Sequence, residues 1–163
     1  MKMRRNNHAM TAQEIIQQNW RKQILLGCEG IVFNDGNIII LDFYSIINNT
    51  QRSYYTSPIC DTTLSSIEKY NNDPWVEVTI HPQHIKLANG DTIYCGEGGM
   101  GNEGFVALED KNGNLKWAFF STQSNPFVGI DLMNDTIRAH STYERYYDIN
   151  LLSPENIKIS NIR

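Results

Sequence analysis

The segment that looks most like chemistry is Cys95-Gly96-Glu97-Gly98-Gly99-Met100-Gly101-Asn102-Glu103-Gly104, in which Gly96, Gly98 and Gly101 fit G-x-G-x-x-G after an expected strand. Such glycines serve phosphate where a helix begins immediately afterwards, because its free backbone amides then face the anion. Here Phe105-Val106-Ala107-Leu108 and the pair Asn112-Gly113 follow, which spell strand and turn, so the dinucleotide use is excluded. A kinase-type loop does lie between strands, but the V-A-x-K strand, the H-R-D loop and D-F-G do not occur. Glu97 and Glu103 also put carboxylates where phosphate needs donors. The segment reads as a glycine-permitted connection between hairpins, with a mobile acidic binding loop as its functional alternative.

His81 and His84 stand three apart in His81-Pro82-Gln83-His84, and His140 offers a third imidazole. Metal sites on strands favour alternate residues, and no cysteine or carboxylate cluster adjoins the pair, so neither a metal nor a cofactor is expected. With Asp42 and Asp61 the histidines could support acid–base chemistry in a site assembled in space. Single substitutions at His81, His84 or His140 would expose such an enzyme. No G-x-S-x-G, H-E-x-x-H or P-loop is present, and the chain is expected not to be an enzyme. Cys28, Cys60 and Cys95 are more than thirty residues apart with no C-x-x-C, which argues against a disulfide framework or zinc finger and for reduced thiols in a cytosol.

Charge is the more informative signal. The net −4 divides into five bases against one acid over residues 1–26, and 9 bases against 17 acids, a net −8, over the remainder. The densest negative stretch is residues 91–135, where Asp91, Glu97, Glu103, Glu109, Asp110, Asp131 and Asp135 face only Lys111 and Lys116. A field of that sign repels phosphate backbones and attracts basic partners, so direct nucleic-acid binding is not expected. Tyr143, Tyr146 and Tyr147 with Arg145 form an aromatic cluster of the composition favoured at protein interfaces. Strand alternation would turn Tyr143 and Tyr147 inward and Tyr146 to solvent.

These residues need elements to position them. Thr11-Ala12-Gln13-Glu14 has the spacing of a capping box, Ile16, Trp20 and Ile24 recur at four-residue intervals, and Gly27 offers a left-handed stop. One amphipathic helix is predicted over Ala12–Leu26, with Gln13, Gln17, Arg21 and Lys22 on its polar side. Beyond Gly30 the period becomes extended. Asp35-Gly36, Asn89-Gly90 and Asn112-Gly113 predict hairpins joining Ile31–Asn34 to Asn37–Tyr44, His84–Ala88 to Asp91–Cys95, and Phe105–Lys111 to Asn114–Ser121. A fourth, at Asn134-Asp135, joins Val128–Met133 to Thr136–His140. Ser65–Asn71 reads as a short helix, Trp75–Ile80 as a strand, and Tyr143–Leu151 and Asn156–Ile162 as strands flanking Ser153-Pro154. Two internal echoes accompany the turns. Glu29-Gly30-Ile31-Val32-Phe33 is similar to Glu103-Gly104-Phe105-Val106-Ala107, and Ile85–Ile93 is similar to Ile130–Ile137.

The expected fold class is α+β and mainly antiparallel β: an N-terminal helix packed on a multi-hairpin meander that forms a sheet, sandwich or barrel-like body. Residues 1–10 are expected to be a basic, disordered arm and residues 11–163 a single β-rich domain. At 163 residues the chain is too short for a kinase, a full propeller or a TIM barrel, and its 40% hydrophobic content excludes wholesale disorder. The longest aliphatic run, Ile38–Leu41, is far short of the roughly 18 residues of a membrane span, so no membrane association is expected. The basic N-terminus leads into polar residues where a signal peptide would have an apolar stretch, so export by that route is not expected and the expected location is cytoplasmic.

Small size, an acidic β-rich body, the acidic glycine-rich loop and Glu97, Glu103, Glu109, Asp110, Asp131 and Asp135 on expected hairpin turns give a profile, over residues 11–163, that resembles bacterial immunity proteins of polymorphic or contact-dependent growth inhibition systems. That resemblance implies a stoichiometric inhibitor of a cognate protein toxin. It would plug the active site of a toxin C-terminal domain, commonly a nuclease with a basic cleft, through those carboxylates, with Tyr143 and Tyr146 adding affinity. The competing class is a small-ligand-binding β-barrel or sandwich that holds its ligand against Trp75, Trp117 and Tyr94.

Overall fold

A computed structural model describes residues 9–162. Residues 1–8 of the expected basic arm lie outside the described residues, and Ala9 and Met10 are exposed. The N-terminal helix α1 runs Ala12–Arg21 and opens on the expected capping box: Glu14 N donates to Thr11 Oγ1 at 3.2 Å, and Thr11 N donates to Glu14 Oε2 at 3.3 Å. It stops before the expected Leu26. Gln23 adopts a left-handed φ of 57°, and Ile24–Leu26 becomes strand β1, antiparallel to β5 (Trp75–Glu77). The ladder with a partner fifty residues away overrides the helical period, and it still buries Leu25 and Leu26.

Among the described residues, thirteen strands and two helices follow the expected α+β, antiparallel plan. The remaining elements are β2 (Gly30–Phe33), β3 (Asn37–Asn48), β4 (Gln51–Thr63), α2 (Leu64–Tyr70), β6 (Thr79–Lys86), β7 (Thr92–Glu97), β8 (Gly104–Glu109), β9 (Leu115–Ser121), β10 (Phe127–Met133), β11 (Thr136–Ser141), β12 (Arg145–Asn150) and β13 (Ile157–Asn161). A seven-stranded sheet has the order β4-β3-β2-β9-β8-β7-β6, and a four-stranded sheet has the order β10-β11-β12-β13. Gly36, Gly90 and Gly113 sit at φ of 90°, 91° and 83°, and Asn134 at 54°, as the four expected turns require.

The chain stacks in three layers. The four-stranded sheet covers one face of the large sheet, and Phe127, Ile130, Ile137, Tyr147 and Ile149 interdigitate with Ile31, Ile93, Val106, Trp117 and Phe119. The other face, with Val32, Ile38, Phe105, Ala107, Leu115 and Phe120, receives α1, β1 and α2 through Ile16, Trp20, Leu25, Leu26 and Leu64. Among the described residues no backbone ladder closes the sheets into a barrel. Side chains bridge the two seams instead: Gln83 Nε2 donates to Ile130 O at 2.9 Å beside β6 and β10, and Asn161 Nδ2 donates to Arg52 O at 3.1 Å beside β4 and β13.

Gln17, expected on the polar side of the helix, is buried. Its amide donates to Leu115 O at 2.8 Å and accepts from Leu115 N at 2.7 Å, satisfying both backbone groups where an irregularity between Leu108 and Glu109 interrupts the β8–β9 ladder.

Candidate binding site

The expected contact residues separate into those that hold the fold together and those that face solvent. Glu103 is buried, and its Oε1 accepts from Met100 N at 2.7 Å, so this carboxylate is turned into the glycine-rich loop rather than toward solvent. A side chain at Gly96 would strike the Thr79 carbonyl, and one at Gly104 the Asn125 carbonyl, so these two glycines answer to close backbone approach. Glu109 accepts from Trp20 Nε1 at 2.7 Å and from the Tyr94 hydroxyl at 3.5 Å, tying α1 to the sheet. Asp110 Oδ1 accepts from Asn112 N at 2.8 Å and Asn114 N at 3.0 Å, bonds that hold its carboxyl below the usual range. Asp131 and Asp135 are exposed, and Glu97 is half-buried at the end of β7.

Tyr143 lies in the turn before β12 and is exposed, so the expected inward role passes to Arg145, which alternates into the core with Tyr147 and Ile149. Tyr146 is half-buried, with the Arg138 guanidinium 4.8 Å from its ring centre, and Arg138 makes a two-pronged ion pair with Asp148 at 2.8 Å. The aromatic residues considered for a small ligand do not converge: Trp117 lies between the two sheets, whereas Trp75 and Tyr94 pack on the opposite face of the large sheet. His84 Nδ1 lies 3.0 Å from Pro82 O and His140 is exposed beside Tyr146. Among the described residues no group of three histidine, cysteine or acidic side chains is placed to share a metal.

Several internal groups are shifted by burial. Glu29 accepts from Ser121 Oγ at 2.7 Å, Thr122 N at 2.6 Å and Thr122 Oγ1 at 3.1 Å, yet burial outweighs these bonds and raises its carboxyl above the usual value. Burial, with Glu29 beside it, pushes the Cys28 thiol up to about 12, and burial alone raises Cys95 to about 11. Burial also raises the Tyr147 phenol against the pull of the neighbouring Arg145.

The surface missed from sequence is the outer half of β3 and β4. β2 pairs only with Ile38–Ile40 of β3, so Asp42–Asn48 and its partners Gln51–Ser57 continue as a two-stranded arm, about 23 Å long at roughly 3.3 Å per residue. Pairing puts Phe43, Tyr54 and Arg52 on the face toward Arg145, and Tyr44, Tyr55 and Ile46 on the other. On that second face Tyr44 and Tyr55 stack with ring centres 5.4 Å apart, and 39%, 42% and 52% of Tyr44, Tyr55 and Ile46 stays open to solvent. Ile47, paired with Arg52 and therefore on the first face at the tip, and Ile59 at the bulge of β4 are exposed as well. Gln51–Thr63 is mostly polar and turns at Asn49-Thr50, without the Asn-Gly or Asp-Gly signal that marked the other hairpins.

A scan of protein-family models and searches of curated proteins and solved structures each returned no significant match.

Proposed function

We propose that this chain is a stoichiometric protein-binding inhibitor of the immunity type, which engages a cognate bacterial toxin domain through the open face of the β3–β4 arm. The observation that supports it most is the stacked Tyr44–Tyr55 pair with Ile46 on a strand face that nothing in the described chain covers. Tyrosines that expose a large rigid apolar area with a polar tip are the side chains on which protein interfaces concentrate affinity. A two-stranded ribbon is only marginally stable alone, but here its opposite face rests on Arg145 and β13, so it presents a preformed surface.

Charge divides labour with the arm. Glu97, Asp131 and Asp135, together with the net −8 of the body, steer a basic partner, and a toxin with a basic cleft, such as a nuclease, fits that field. Glu103, Glu109 and Asp110 act through the fold. Location in the cytosol belongs to this reading, since the toxin would have to be met there.

Co-expression with the product of the neighbouring reading frame tests the proposal. A neighbour that is toxic alone, and that is neutralised and bound one-to-one when paired, is the expected result. A harmless neighbour that does not co-purify contradicts the reading.

A further inference from the structure

Behind the arm, on the face opposite Tyr44 and Tyr55, an open cleft of about 520 Å³ separates the hairpin tip from the β11–β12 turn, with Arg52, Tyr54, Tyr143, Glu144, Arg145 and Asn161 in its walls. Arg145 is only 6% exposed, yet among the described residues no carboxylate lies within ion-pair distance of it. Its Cζ sits 3.8 Å from the Tyr54 ring centre, 4.4 Å from that of Tyr143 and 5.7 Å from that of Phe43. Nε and Nη1 are buried with no partner in hydrogen-bonding geometry, the neighbouring Tyr147 hydroxyl is likewise unpartnered, and Arg145 is one of the residues that line the cleft. Ring faces attract a cation but accept hydrogen bonds poorly, and a desolvated guanidinium normally takes a planar oxyanion.

The geometry points to a carboxylate-binding site centred on Arg145, with Arg52 as the second cation. The lining carries two guanidiniums against the single carboxylate of Glu144, one net positive charge, which suits a monoanion better than a phosphate dianion. The carboxylate comes either from a free small acid or from an acidic side chain of a polypeptide. This site lies on the other face of the arm from the surface assigned to the toxin and does not depend on that reading.

Acetate and N-acetyl-glutamic acid amide, titrated separately into the full chain with the Arg145 Nε–H resonance followed by NMR, distinguish the two sources. Saturable shifts with both at similar affinity indicate a free acid, and at least tenfold tighter binding of the glutamyl probe indicates a side chain; each supports the site. Glu144→Gln removes the opposing charge and is expected to strengthen binding several-fold, a gain that a purely structural Arg145 would not produce. Tyr143→Ala, at a residue more than half exposed, is expected to weaken binding at least threefold without unfolding the chain. The absence of saturable shifts with either carboxylate, binding of inorganic phosphate in preference to both, or affinities unchanged in both variants overturns the inference.

Discussion

Glu29 and Asp110 are both carboxylates met by several donors, yet burial raises one and backbone amides lower the other. For Glu29 the unfolded chain ionises first, near pH 4.3, so above that pH the folded state holds more protons and stability falls with rising pH until the raised folded value is passed. Thermal melts of the wild type and Glu29→Gln across acidic pH should show the wild type losing ground to the variant as pH rises from about 4. A difference independent of pH would contradict the raised carboxyl. Asp110→Ala leaves two turn amides without their acceptor and is expected to cost about 1 kcal/mol in denaturant melts while leaving partner affinity unchanged. The sequence marks both residues as acidic but cannot show which acids are spent inside. The similarity of Glu29-Gly30 to Glu103-Gly104 carried a usable signal: both glutamates precede a strand, and both accept from backbone amides in its neighbourhood.

Among the elements, those with strong local chemistry were legible in the sequence. The capping box and four turns placed α1 and eight strands because the residues that set those φ angles are near neighbours in sequence. β4, a neighbour of β3 across the Asn49-Thr50 turn, escaped because Gln51–Thr63 has little apolar alternation and that turn carries no glycine, whereas β1 escaped because it depends on a distant partner, with Ile24–Leu26 continuing a helical stripe. Gln17 escaped for the same reason, its role being to complete a β9 backbone 98 residues away. Gln17→Ala strands a buried donor and acceptor of Leu115, and a loss of roughly 1–3 kcal/mol in chemical denaturation is expected. A loss below 0.5 kcal/mol would mean that the helix is held by Ile16 and Trp20 alone. The candidate site was the least legible part, since an open face on an arm is defined by what fails to cover it, and layering is a property of the whole chain.

At the scale of the molecule, the proposed function puts affinity and steering in different places, so they should respond to different substitutions. Reversing Glu97, Asp131 and Asp135 together to lysine is expected to slow association with the cognate partner about tenfold or more at low salt and to flatten its salt dependence, with little change in dissociation rate, as stopped-flow mixing would show. The arm carries the converse prediction. Tyr44→Ser and Ile46→Ser lie on an open strand face and should leave thermal stability nearly unchanged. The most direct measurement is therefore titration calorimetry of the purified toxin domain against the wild type and a Tyr44→Ser/Ile46→Ser double variant whose fold is verified by circular dichroism. The arm as docking surface predicts one-to-one binding by the wild type and at least a hundredfold loss in the variant. Equal affinity of the two proteins would contradict it.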